Sequence, residues 1–180
     1  MTSSLGRILE ELDAWRERIP LSELEHALGG LSVTLDDVRP FLKFGDETYR
    51  RNLLHAGPAY QALVLCWRNG QRSPIHDHRG SSCGVRILHG TALETVFERA
   101  RNRMIYPVRS HEMTPVLICS TPDDDIHQVS NLADDGGDLI TLHIYSPALL
   151  QMGTYSLLDA DMQTYAEPVH EDMLVDGGGI

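Results

Sequence analysis

His76 and His78 stand one residue apart in SPIHDHRG, between two stretches with the texture of β-strand. In a strand, residues two apart face the same side, so both imidazoles would point into one space and could bind one metal ion. On its own an HxH pair is more often two strand residues facing solvent than a pair of ligands. His143 and Tyr145 repeat the spacing in TLHIYSP, so if one points inward an imidazole and a phenol share the same pocket. Arg50 and Arg51 are neighbours, and in a regular strand one of the two faces inward. Arginine is a permanent cation with a planar fork, better suited than lysine to two-point capture of a carboxylate. A pocket with a metal, a carboxylate clamp and a phenol suits a small amino or thio acid.

These spacings need strands, and the sequence from Tyr49 onward supplies them. Short β-branched and apolar runs, broken by turn residues, fill 48–55, 59–68, 73–76, 83–89, 92–98, 104–108, 115–120, 126–131, 138–146 and 152–158. Gly57-Pro58, Asn69-Gly70, Arg79-Gly80, Gly90 and the stretch from Asp134 to Gly137 furnish turns. Ahead of the strands, Leu5, Ile8, Leu9, Leu12 and Trp15 predict an amphipathic helix with Glu10, Asp13 and Glu17 turned away. Ser22 and Glu25 have capping-box spacing and Gly29-Gly30 is a stop, which predicts a second helix over Glu23 to Leu28. A third is expected after Thr34, limited by Pro40. Such helices read as packing elements at one end of the fold.

Composition narrows the function. A chain of 180 residues is the size of one domain and buries roughly 70% of its unfolded surface without disulfides. Its 15 basic against 26 acidic residues give a formal charge of -11, which repels phosphate backbones and anionic lipid alike, so neither nucleic acid nor membrane is an expected partner. The start lacks a signal-peptide layout and no apolar run approaches the roughly 20 residues of a membrane span, so a cytoplasmic location is expected. Cys66, Cys83 and Cys119 are odd in number and lack CxxC spacing, which points to no disulfide framework and at least one free thiol. The turn Asp123-Asp124-Asp125 lacks the spaced ligands of a calcium loop and reads as solvated.

From Gly70 the pattern runs Gly, five residues, His76, one residue, His78, four residues, Cys83, six residues, Gly90. This resembles the first motif of the cupin family, G-x5-H-x-H-x3-4-E-x6-G, with Cys83 where most cupins have glutamate. The second motif, G-x5-P-x-G-x2-H-x3-N, is matched in part by Pro122, His127 and Asn131, with Asp124 in place of a glycine. The resemblance implies a mainly β fold, a small antiparallel β-barrel (jelly roll) with N-terminal α-helices, and His127 as third metal ligand. On that reading residues 1–45 form a helical segment packed on the barrel, 46–170 the barrel and 171–180 a mobile tail of one domain.

Replacing the glutamate leaves three neutral imidazoles, so a bound metal keeps its +2 charge and open positions and invites an anionic ligand. This narrows the resemblance to the thiol dioxygenases and, within them, to the cysteine dioxygenase type I family, over residues 41 to 158. Tyr49-Arg50-Arg51-Asn52-Leu53 resembles its Y-x-R-N-L segment, which selects Arg51 as carboxylate clamp and places Tyr49 in the substrate pocket. Cys66-Trp67 followed by His76-Asp77-His78 resembles the CW and HDH segments, and Cys83 falls at the thioether-forming cysteine. Leu93-Glu94-Thr95 and Ile126-His127-Gln128-Val129 resemble the barrel turn and the third-ligand segment. Thr141 to Pro147 resembles S-L-H-x-Y-S-P, which makes Tyr145 the catalytic tyrosine, His143 its hydrogen-bonded partner and Cys83 its crosslinking cysteine.

The implied cofactor is Fe(2+) held by His76, His78 and His127, with no organic cofactor. The implied reaction adds both atoms of O2 to the thiol sulfur of L-cysteine, giving a sulfinic acid. Related enzymes acting on 3-mercaptopropionate carry glutamine at the Arg51 position and an arginine shortly after the S-P motif. Here the position seven beyond Tyr145 is Met152, assigned to the substrate pocket, and both positions favour cysteine. The rival readings are a dioxygenase for 3-mercaptopropionate or another small thiol, a cupin isomerase using zinc, and a non-catalytic metal-binding cupin that senses a small ligand. A monomer or weak homo-oligomer is expected. His26, His55, His89, His111 and His170 fall outside the matched positions and read as surface or capping residues.

Overall fold

The computed structural model describes residues 4–115, 118–121 (backbone alone) and 125–171. The Cys119 side chain, Pro122, Asp123, Asp124 and the glycine-rich end from Val175 lie outside the described residues.

Two α-helices come first. Helix α1, Ser4–Leu12, buries Leu5, Ile8 and Leu12 along one face, as their spacing predicts. Helix α2, Leu21–Gly30, ends on the glycine pair, but it starts earlier than the expected capping box. Pro20 is its N-cap, the Pro20 carbonyl accepts from the Glu23 and Leu24 amides, and Ser22 lies inside the first turn, where it caps nothing. The expected third α-helix is absent. The Asp37 carboxylate accepts from both the amide and the hydroxyl of Thr34 at 2.8 Å, which closes a turn instead. A single 3-10 turn follows at Arg39–Phe41, around Pro40, which has no amide to extend it.

Eleven strands follow among the described residues. They are β1 (Arg50–Ala56), β2 (Gln61–Trp67), β3 (Ile75–Asp77), β4 (Ser82–His89), β5 (Ala92–Arg99), β6 (Ile105–Met113), β7 (Ile118–Thr121), β8 (Ile126–Ser130), β9 (Leu139–Ser146), β10 (Met152–Tyr155) and β11 (Gln163–Tyr165). Strand β11 is not expected from the sequence, because its three residues are all exposed and show no alternation. The strands form a five-stranded sheet, β1-β2-β9-β4-β7, and a six-stranded sheet, β11-β10-β3-β8-β5-β6, with antiparallel pairing throughout.

Both β2 and β9 are buried on their two faces, and β2 accordingly reads as an apolar run from Ala62 to Trp67. Leu63, Leu65 and Trp67 of β2 belong to the cluster shared with Val85, Val129 and Tyr145. The alternate residues Ala62, Val64 and Cys66 pack with Leu5, Ile8, Leu24 and Leu28 of the helices. Gly84 of β4 lets α2 settle on the sheet: a Cβ there would stand 2.7 Å from Leu28 Cδ1. No described helix is long and apolar enough to cross a membrane.

Candidate active site

The pocket begins at a cross-strand pair. His76 of β3 lies opposite His127 of β8, so their side chains leave neighbouring positions on one face. His78 follows β3 two residues on and returns to that face. The three rings stand 4.6 to 5.3 Å apart between centroids, and one ligand nitrogen from each falls within 4.8 Å of the others.

All three histidines are buried, and burial pushes their pKa values down, that of His76 to about 4 and those of His78 and His127 well below the ordinary value. They are therefore neutral at pH 7, the protonation state that ligates metals. His76 Nδ1 stands 2.9 Å from the Pro74 carbonyl, a contact that assigns its proton to Nδ1 and leaves Nε2 with a free lone pair. His78 Nδ1 and His127 Nδ1 are buried with no hydrogen-bond partner. Buried nitrogens without partners are costly, and a three-imidazole set of this kind fits a divalent transition metal.

A second group faces the histidines from the other sheet. The Tyr145 hydroxyl is 3.0 Å from His143 Nδ1, and His143 Nε2 is 2.9 Å from Thr141 Oγ1, which also accepts the Trp67 indole N–H at 3.1 Å. Thr141, His143 and Tyr145 are alternate residues of β9, so one strand face carries the whole line. The Tyr145 ring lies 5.5 Å from the His78 ring, which joins the two groups into one site.

The sequence profile of the cysteine dioxygenase type I family matches residues 7–157. The chain belongs to that family. Cysteine dioxygenase type 1 of Rattus norvegicus is 32% identical over 151 residues, covering 81% of this chain and 74% of the rat protein. The Homo sapiens protein of the same name is 30% identical with the same coverage. A solved structure from Thermus thermophilus superposes with a TM-score of 0.52 at 17% identity, covering 62% of this chain and 95% of the other. One from Bacillus halodurans gives 0.50 at 20% identity, covering 64% and 80%. The fold is thus the mainly β, cupin-type antiparallel barrel with N-terminal helices.

The residues that the cysteine dioxygenase resemblance singles out are gathered closely. Cys83 of β4 is the direct cross-strand partner of Tyr145, its sulfur is 4.0 Å from His143 Nδ1, and its thiol contacts the phenol. Of the two arginines, Arg51 faces inward at 2% exposure, while Arg50 turns aside to donate to Asn52 Oδ1 at 2.9 Å. The Arg51 guanidinium carbon lies 5.7 Å from the Tyr145 ring centroid, and Nη2 is buried without a partner. Tyr49 stacks on Trp67 with centroids 3.8 Å apart. Tyr49, Trp67, Cys83, the three clustered histidines, His143 and Tyr145 all line a cavity of ≈ 20 Å³, enough for an ion or a water. Arg51 and Met152 do not line that cavity: Arg51 meets the site over the Tyr145 ring, and Met152 packs in the same core cluster as Leu149 and Tyr145.

The sequence alone gives no role to two acidic residues. Glu94 of β5 is buried, lines the cavity and lies 3.3 Å from His111 Nε2, so His111 is a half-buried partner and not the surface residue expected. Burial raises the Glu94 pKa. Its place inward of β5 could be read from strand alternation, but a glutamate is ordinarily assigned to the outside. Glu167 accepts from the Tyr49 hydroxyl through its carboxylate and from Arg51 Nη1 through its carbonyl, the latter at 3.2 Å. Its only local signal is Pro168, which favours extended backbone just before it.

Proposed function

We propose that this chain is a non-haem Fe(II) thiol dioxygenase that converts L-cysteine and O2 to cysteine sulfinic acid. The observation that carries this reading is the meeting of three neutral imidazoles with the Tyr145–His143 pair and Arg51 at one buried site. His76, His78 and His127 would hold the ion, and the donor set fits because all three are neutral and two retain an unpartnered buried nitrogen. Bound there, iron would deprotonate the thiol and supply the redox chemistry that joins O2 to sulfur.

The remaining work belongs to the chain. Arg51 offers Nη2 to the substrate carboxylate and so orients the thiol end toward the histidines. Tyr145, kept protonated by burial, donates a hydrogen bond at the reacting end, and His143 fixes its direction. Trp67 and Tyr49 stack into an apolar wall that keeps water out. Sulfur gives up four electrons, O2 takes them, and no further reductant is needed. Cys83 faces the Tyr145 ring in cross-strand register, which supports a thioether between them, formed by loss of two hydrogens to O2. The reading carries with it a cytoplasmic location.

The test is oxygen uptake by anaerobically iron-loaded protein with L-cysteine and, separately, with 3-mercaptopropionate, coupled to mass detection of the product. Uptake with cysteine and a gain of two oxygen atoms is the expected result. Uptake with 3-mercaptopropionate alone would keep the chemistry and change the substrate. No uptake with either, at full iron content, would leave a metal-binding cupin without turnover.

A further inference from the structure

The chain after β11 returns along β1 and closes the Arg51 end of the pocket. His170 donates its amide to the Arg51 carbonyl and accepts from the Leu53 amide, both at 2.9 Å. Val169 packs against the core cluster of the site. Between these anchors and β11, Glu167 is held with its carboxylate on the Tyr49 hydroxyl and its carbonyl on Arg51 Nη1. The Arg51 end therefore holds a buried guanidinium nitrogen without a partner, Nη2, and, one hydrogen bond beyond the cavity-lining Tyr49, the Glu167 carboxylate.

We propose that Glu167 is a specificity-determining residue, accepting an N–H of the substrate's amine while Arg51 Nη2 donates to the substrate's carboxylate. The inference rests on the thiol dioxygenase reading of the site. It names the substrate class as α-amino thiol acids, in preference to thiol acids that lack the amine. An α-amino acid carries its amine and carboxylate on the same carbon, so an acceptor and a donor at one end of the pocket match it. The amine keeps N–H groups to donate whether it is free or ligates a metal. A thiol acid without the amine brings a second negative charge beside Glu167 and offers it no donor. Like charges brought together count against that competitor. Burial raises the Glu167 pKa, while the Tyr49 hydrogen bond and Arg51 act against that rise.

The test is Glu167→Gln, which keeps the shape and the acceptor oxygen for Tyr49, with Glu167→Asp as the variant that keeps the charge. Two quantities are read: the ratio of kcat/KM for L-cysteine to that for 3-mercaptopropionate, and the ratio of dissociation constants for the two thiols on anaerobic zinc-loaded protein. The expected result is a fall of about tenfold or more in both preferences in Glu167→Gln, through better binding of 3-mercaptopropionate, with the preference largely kept in Glu167→Asp. Preferences unchanged within about twofold, or equal losses on both thiols, would overturn the assignment, since a purely structural role weakens both alike. Wild-type protein that binds thiols but consumes no oxygen would overturn the dioxygenase reading, and the binding ratio alone would then decide the role of Glu167.

Discussion

Tyr145 and His143 leave β9 on one face, and the phenol oxygen stands 3.0 Å from the imidazole Nδ1. Burial raises the pKa of the first and lowers that of the second to about 3, so both are neutral and a single proton lies between them. A neutral phenol at that position can donate toward a developing negative charge without a counter-ion of its own.

Tyr145→Phe removes this donor and little else. Thiol-dependent oxygen uptake should fall by about 10- to 100-fold, with iron content unchanged. Uptake kinetics alongside metal analysis check this, and near wild-type rates would remove Tyr145 from the chemistry.

His127→Ala takes away one side of the β3–β8 pair of histidines. Iron retained per chain after desalting should drop to a small fraction of the wild-type value. Saturating iron, which stabilises a binding fold by about 3 kcal/mol at a hundredfold excess over Kd, should no longer raise Tm. Wild-type iron content in the variant would exclude His127 as a ligand.

Arg51→Lys keeps the charge and loses the fork. KM for L-cysteine should rise by about tenfold or more with a smaller change in kcat, while 2-mercaptoethylamine, which has no carboxylate, should be oxidised as by the wild type. Steady-state kinetics on the two thiols separate these effects, and equal losses on both would discard the clamp.

Cys66 is a free thiol facing the helical layer, 3.7 Å from the Phe41 carbonyl, and burial pushes its pKa up to about 12. Native protein at pH 8 should leave Cys66 unmodified by iodoacetamide, whereas denatured protein should react, as peptide mass mapping would show. The folded thiol holds its proton above the unfolded value of 9.0, so its contribution to stability is intact below pH 9 and is lost as the pH rises toward 12. Cys66→Ala should flatten that alkaline slope in urea titrations.

Much of this site is visible in the sequence because strands have a period of two. His76 with His78, and His143 with Tyr145, can be placed on common faces from spacing alone. His127 cannot, since it reaches His76 through pairing of β3 with β8, a long-range contact with no local signature, and only family resemblance points to it. Glu94 escapes notice because a buried glutamate contradicts its residue type, and Glu167 because it follows an exposed edge strand with no apolar pattern. The third helix fails for the opposite reason: its local signals are present, but the Thr34–Asp37 turn and Pro40 satisfy the same backbone in fewer residues.

Gly84 follows Cys83 and faces the other side of β4, where a Cβ would stand 2.7 Å from Leu28 Cδ1 and 3.2 Å from Leu24 Cβ of α2, and Arg86 donates to the Leu28 carbonyl at 2.5 Å. The strand that presents Cys83 to Tyr145 is thus seated against α2 by a contact that an added side chain would push against. By shape, position 84 and the α2 face are a matched set. A chimera that takes its helices from one relative and its barrel from another would inherit a working pocket only if both halves agree on the gap at that glycine.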